Sequence, residues 1–155
     1  MALGHRERAM ACVAIFAAVA GLARSAVAAA AAQLEPKAAV ADYCAAWSVT
    51  DRGARDRLLA RVWAADGVYS DPAPTLAKGR AALSDVITDF QRHYPRTHFR
   101  CSAPQMHHRF MRASWVLVRA DGKEVTHGMD IYDMAQDGRI QRIVGFFGDP
   151  PAVTP

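Results

Sequence analysis

The segment Asp121-Gly122-Lys123-Glu124-Val125-Thr126-His127-Gly128-Met129-Asp130-Ile131-Tyr132-Asp133-Met134-Ala135-Gln136-Asp137-Gly138 decides the fold. Its middle is strand-like, and an Asp-Gly pair stands at each end, the signature of a hairpin turn. One long strand over Lys123 to Met134 therefore expects partners on both sides, over Met106 to Arg119 and Arg139 to Gly148. With two-residue type I′ turns, the numbers of facing residues sum to 243 across the first hairpin and 275 across the second, and partners share a face. Asp130 then lies between Ala113 and Gly145, among the smallest neighbours the chain could offer.

A carboxylate inside a packed sheet is costly unless it is paired, hydrogen-bonded or protonated, so its position points to a working pocket. The same register puts Met111, Trp115, Tyr132, Ile143 and Phe147 on the face of Asp130, with His107, Arg109 and Met134 toward one end. An apolar, aromatic wall holding one acid is the usual makeup of a small-molecule pocket. The opposite face carries Val116, Val118, Met129, Ile131, Val144 and Phe146. Each large apolar side chain contributes about 1.5–3 kcal/mol when buried, so a homodimer through this outer face is expected. One bulge in the long strand would reverse the faces, leaving Asp130 in water and Met129 and Ile131 in the core.

Ahead of the sheet the pattern is helical. Pro36 opens a first helix with Val40, Tyr43, Cys44 and Trp47 on one stripe. Thr50 or Asp51 can cap a second, carrying Leu58, Leu59, Val62 and Trp63. A short strand follows over Val68-Tyr69-Ser70-Asp71, ended by Pro72. Gly79 leads into a third helix with Leu83, Val86, Ile87, Phe90 and Tyr94 on one side, stopped by Pro95. Strand resumes over Thr97 to Ser102. Helices followed by a curled antiparallel sheet make the class α+β. Charges alternate in sign from Asp51 to Arg57, as on a solvated helix face.

The start of the chain reads as a secretory signal peptide over residues 1–28: a basic start at Arg6 and Arg8, an apolar run from Ala9 to Ala23, and small residues at Ala26-Val27-Ala28. The run is shorter than the ~20 residues of a spanning helix, and an uncleaved anchor is the alternative. An Ala-rich joint over 29–36, one domain over 37–150 and a tail over 151–155 complete the expected organisation. The protein is expected to be exported, periplasmic or extracellular, with no membrane association after cleavage. Cleavage removes Arg6, Arg8 and Arg24 from the 19 basic residues and Glu7 from the 15 acidic ones, so the formal net charge of +4 says little about nucleic acid. No basic run with interleaved aromatics occurs, and a nucleic-acid partner is not expected. Of the cysteines beyond the signal segment, Cys44 and Cys101, a disulfide is permitted but not implied, since isolated cysteines are commonly buried small hydrophobes.

Four stretches, VWAADGVYSDP (62–72), KGRAAL (78–83), HGMDIYDM (127–134) and GRIQRIVGFFG (138–148), resemble the nuclear transport factor 2-like superfamily, in its SnoaL-like and ketosteroid isomerase-like branch. The resemblance runs from about Val40 to Gly148 and implies a cone: three helices packed against a strongly curved mixed, mainly antiparallel sheet, with a pocket between them. In ketosteroid isomerase an aspartate is the base, and a tyrosine and a protonated aspartic acid bind the enolate oxygen. By that resemblance Asp71 matches the base, Asp130 the protonated acid and Tyr43 the tyrosine, with Trp47 the alternative occupant of the last place.

Each assignment has a plainer counterpart. An Asp before Pro often only turns the chain, and a tyrosine on an apolar helix stripe is often core. Trp47, Trp63, Tyr69 and Phe90 are pocket or core aromatics and join His107, Met111, Trp115, Tyr132, Ile143 and Phe147 as candidate ligand-lining residues. His107 and His108, adjacent on a strand, are expected to face opposite ways. With no metal-ligand spacing, nucleophile motif, phosphate loop or dinucleotide fingerprint, neither metal nor cofactor is expected. The leading function is a hydrophobic small-molecule pocket, with cofactor-free acid/base isomerisation or cyclisation of a carbonyl compound. The alternatives are a non-catalytic binding or interaction module and a hydrolase in which Arg109 partners the acid that activates water.

Overall fold

The computed structural model describes residues 34–73 and 76–154; the expected signal peptide and most of the Ala-rich joint lie outside them. Pro36 begins helix α1 (Pro36–Ala46), where its missing N–H would have no partner anyway, and Ala39, Val40, Tyr43, Cys44 and Ala46 are buried. Asp51 caps α2 (Arg52–Val62): its Oδ1 accepts the Ala54 N–H at 2.7 Å. Trp63, expected on the apolar face of α2, is instead the first residue of β1 (Trp63–Ser70). It pairs at once with Ile140, and the irregular stretch between Trp63 and Val68 folds its indole over Gly67, where a Cβ would lie 2.6 Å from Nε1. A two-residue β2 (Ala77–Lys78), which the sequence pattern did not announce, pairs with β1 before α3 (Arg80–His93) begins.

The remaining strands are β3 (Thr97–Cys101), β4 (Gln105–His107), β5 (Phe110–Arg119), β6 (Glu124–Met134) and β7 (Ile140–Phe147). They give the sheet order β2-β1-β7-β6-β5-β3, with β4 paired to β5. Among the described strands only β1 and β7 pair in parallel. The architecture is α+β, three helices on a curved, mixed and mainly antiparallel sheet. The single strand expected over Met106 to Arg119 is two strands. A turn at His108-Arg109, with His108 at φ 52°, folds β4 back onto β5. His107 and His108 therefore do not face opposite ways; they sit side by side and exposed, with their Nδ1 atoms 3.4 Å apart.

Asp130 does lie between Ala113 and Gly145, but by another route than two-residue turns. Type I′ geometry needs positive φ at both central residues, and only Gly122 (82°) and Gly138 (83°) have it. The chain adopts three-residue loops instead. The Arg119 N–H donates to the Lys123 carbonyl and the Ala135 N–H to that of Arg139, with Gly122 and Gly138 bonded back to Arg119 and Ala135. Each such loop offsets the pairing by one residue, and a bulge restores it. Val118 faces Glu124 while Leu117 faces Thr126, leaving Val125 unpaired; Met134 faces Ile140 while Asp133 faces Arg142, leaving Gln141 unpaired. The hydrophobic pattern governs the register, and the loops adapt to it.

Between helices and sheet, Val40, Leu59, Val62, Trp63, Leu83, Ile87, Ile140 and Ile143 form a continuous core. Arg55, expected on a solvated face, is 1% exposed. Its guanidinium donates to Ser84 Oγ, Thr88 Oγ1, Gln91 Oε1 and the Val49 carbonyl, so the buried charge is hydrogen-bonded on every side and ties α2 to α3. Cys44 and Cys101 form a disulfide that fastens α1 to β3 across 57 residues of chain. On the outer face of the sheet Val118 is buried; Val116, Met129, Ile131 and Val144 are half-buried, and Phe146 is 56% exposed.

Candidate functional site

The end of β1 and the middle of β6 bring Asp71 and Asp130 to one cavity of about 400 Å³, enclosed by α1, α3 and the inner face of the sheet. The gap between the two acids exists because residue 145 is glycine. A Cβ there would lie 3.1 Å from Asp130 Oδ1 and 3.4 Å from Asp71 Cβ.

Asp130 is 7% exposed. Trp115 Nε1 donates to its Oδ1 at 3.0 Å and the Tyr132 hydroxyl to its Oδ2 at 3.4 Å. Burial pushes the carboxyl up to about 7; the two donors pull it down, and the charge of Asp71 adds to the rise. The group therefore changes protonation near neutrality. Because the indole N–H can only donate, Oδ1 is held as an acceptor, and the proton, when present, belongs on Oδ2.

Asp71 combines two roles that the sequence presented as alternatives. Its Oδ1 accepts the Ala73 N–H at 2.9 Å and turns the chain, while its Oδ2 accepts the Tyr69 hydroxyl at 2.8 Å at the cavity wall. Tyr43 and Trp47, offered as alternatives for one place, both line the cavity. Tyr43 stacks on Trp63 (ring centroids 5.9 Å, 18°) and meets Tyr132 edge-on at 6.0 Å. Burial first, and the charge of Asp130 second, hold its hydroxyl well above the usual tyrosine range, so it stays protonated. The hydroxyls of Tyr69 and Tyr132 are raised in the same way, by burial and then by Asp71 and Asp130 respectively.

Of the expected lining residues, Trp47, Tyr69, Phe90, Trp115 and Phe147 border the cavity together with Tyr43 and both acids. Trp63, Met111, Tyr132 and Ile143 do not; they are buried in the core behind the wall, where Tyr132 acts through Asp130. His107 does not border it either, because the β4–β5 turn carries it to the surface. The hydrolase alternative loses its cation: Arg109 pairs with Asp133 at 2.9 Å on the surface and with neither acid of the cavity.

Sequence reasoning missed Phe99, Leu117 and Thr126 on the sheet wall, and Val86 and His93 on α3 with Tyr94 just beyond its end. Leu117 was legible, because it follows Trp115 by two on the same strand face. The disulfide also borders the cavity, so the link between α1 and β3 is part of its wall. Among the described residues no group of three or more His, Cys, Asp or Glu side chains is placed to hold a metal ion.

A cone-shaped α+β fold with an acid-bearing, aromatic cavity between its helices and sheet defines a class in which one scaffold serves many chemistries. The SnoaL-like domain matches residues 40–143, more than half of the chain, and the chain belongs to that family. No curated protein matches. A solved structure from Agrobacterium tumefaciens, provisionally assigned as an isomerase of the SnoaL-like family, is 30% identical over 72% of this chain and 96% of its own, with a TM-score of 0.68. A provisionally assigned ketosteroid isomerase from Kribbella flavida (18% identity, 77% of this chain and 82% of its own, TM-score 0.55) shares the fold. So does a provisionally assigned polyketide cyclase from Sinorhizobium meliloti (17%, 69% and 92%, TM-score 0.54).

Proposed function

We propose that this protein binds an apolar carbonyl compound in the cavity and moves a proton on it without a cofactor, as an isomerase or cyclase. The supporting observation is that Asp71 and Asp130 border the same cavity on either side of Gly145, in environments that give them different chemistry. Asp71, held by the Tyr69 hydroxyl and the Ala73 N–H and only partly buried, is the base. Asp130, buried and raised to about 7, is the proton donor toward an oxygen that gains charge as the carbon is deprotonated. Tyr43, protonated and bordering the same space, is the second donor. The similarity to a provisionally assigned isomerase and a provisionally assigned cyclase agrees with this reading.

The test needs no known substrate. Apolar ketones incubated with the protein in D₂O should exchange the hydrogen next to the carbonyl, followed by NMR. Asp71→Asn should slow exchange by about 10²–10⁴-fold and Asp130→Asn by about 10²–10³-fold. Exchange unchanged in both variants removes the mechanism. Catalytic silence with retained ligand binding would favour the non-catalytic binding module, for which the cavity is equally suited.

The same proposal includes export and self-association. Export is supported by the signal-like segment 1–28 and by a disulfide, which persists in oxidising compartments. A homodimer through the outer sheet face is supported by Phe146 and the half-buried Val116, Met129, Ile131 and Val144. Detection of residues 1–28 on protein recovered from the cell envelope would count against cleavage, and a monomer in sedimentation at micromolar concentration would count against the dimer.

A further inference from the structure

Asp71 makes the cavity negative, and among the described residues no cation beside it balances that charge. Among the described residues, Asp71 is held by a hydroxyl and a backbone N–H, and Asp130 by an indole N–H and a hydroxyl; none of these donors is a cation. A third carboxylate at the mouth, Asp89, is paired on the surface with Arg92 at 3.0 Å. Among the described residues no lysine or arginine borders the cavity, and its one basic side chain, His93, is exposed at the rim with Nδ1 2.7 Å from the Asp89 carbonyl oxygen. This is a local property, since the whole chain carries a formal net charge of +4.

The rest of the lining is aromatic. Trp47 meets Phe90 at 5.4 Å and 83°, Phe99 meets Trp115 at 5.5 Å and 83°, and Trp115 meets Phe147 at 5.5 Å and 84°. Rings at right angles form adjoining walls, and the face of each ring carries negative charge density. Aromatic walls beside an uncompensated carboxylate are the chemistry that recognises organic ammonium groups. They are the wrong chemistry for a carboxylate, sulfonate or phosphate ester, which would lose its water and meet no cation.

We infer that the natural ligand of this cavity is an apolar organic cation, a ring system bearing a protonated or quaternary amine whose charge lies against the aromatic walls, in the field of Asp71 but apart from the space between Asp71 and Asp130. The inference rests on the reading of the cavity as the ligand site and narrows it: the carbonyl substrate of the proposed reaction carries its amine away from the carbonyl that meets Asp71 and Asp130, and anionic carbonyl compounds are excluded.

Trp47 and Trp115 line the cavity, so intrinsic fluorescence of the whole protein reports occupancy. Three probes of one shape separate the contributions: phenyltrimethylammonium, its neutral isostere tert-butylbenzene, and benzenesulfonate. The cation should bind about tenfold or more tighter than the isostere, and the sulfonate weakest. Raising ionic strength should weaken the cation and leave tert-butylbenzene unchanged, a readout that needs no variant. Asp71→Asn, with its fold checked by circular dichroism, should reduce the preference for the cation several-fold at constant tert-butylbenzene affinity. Equal or tighter binding of tert-butylbenzene, or sulfonate binding as strong as that of the cation, overturns the inference and leaves the pocket standing. Binding of none of the three overturns both.

Discussion

Replacing Asp130 by Asn should make the protein more stable at pH 8 while making it a worse catalyst. The carboxyl ionises near 3.8 in the unfolded chain and at about 7 in the folded one, where burial dominates. Between those values the folded state holds a proton that the unfolded state has lost, so folding stability falls as pH rises through the window from about 4 to about 7. At roughly 1.4 kcal/mol per pH unit the full loss is about 4 kcal/mol, an upper bound that water penetration reduces toward about 2. Asn keeps the shape, and its carbonyl can still accept the Trp115 N–H, while its amide stands opposite the Tyr132 hydroxyl, which can turn to accept. The variant escapes the ionisation cost. Urea unfolding of both proteins at half-unit steps from pH 4 to 8.5 gives the difference curve. Near pH 4 it should lie close to zero or slightly against the variant, then rise in its favour by about 2–4 kcal/mol and level off above pH 7. His127, held protonated to higher pH chiefly by Glu124 and then Asp149, titrates in both proteins and cancels in the difference. A difference that stays flat from pH 4 to 8 would show Asp130 ionised and well solvated throughout, and the protonated-acid role would go with it.

Three further outcomes are expected. Trp115→Phe removes the N–H that lowers the Asp130 carboxyl, so its apparent pKa, followed by carboxyl carbon NMR, should rise above that of the parent; an unchanged or lower value would mean that the hydrogen bond does not form. Gly145→Ala puts a methyl 3.1 Å from Asp130 Oδ1 and 3.4 Å from Asp71 Cβ, and should cost about 1–3 kcal/mol in urea unfolding while weakening ligand binding. Full retention of both properties would place the acids farther apart than described. Reducing the Cys44–Cys101 bridge, which closes a loop of 57 residues, should lower stability by about 4 kcal/mol in the chain-entropy view; a loss below about 1 kcal/mol would mean that the reduced chain is already held together there.

The parts of the site that were legible in the sequence are those on the regular sheet. The register drawn from two-residue turns placed Asp130 between Ala113 and Gly145 and put Trp115 and Phe147 on its side; those turns do not form, yet the pairing holds because a bulge beside each three-residue loop keeps the buried face inward. What was not legible lies where the chain leaves such periodicity. Trp63 matches the helical stripe of α2 equally well, and only its pairing with Ile140 makes it a strand residue. His107 and His108 could not be placed without knowing that the chain reverses at His108-Arg109. Arg55 sits in a run of alternating charge that reads as solvent-facing; its burial depends on Ser84, Thr88 and Gln91, about 30 residues or more downstream on another helix. The union of Cys44 with Cys101 needed the packing of α1 against β3, which neither cysteine's local sequence encodes. The tyrosine donors were visible as types, but their sorting into cavity wall (Tyr43, Tyr69) and supporting layer (Tyr132) follows from three-dimensional packing alone.

The unpaired residues Val125 and Gln141 bear on how this lineage can change. Each is a spare link beside a loop, and excising it would let the three-residue loop run straight into regular pairing with Leu117 still opposite Thr126, or Asp133 still opposite Arg142. Chain length at these two hairpins can therefore drift by one position during evolution without turning the acid outward. A deletion nearer Asp130 has no such slack and would invert the sidedness of every residue beyond it.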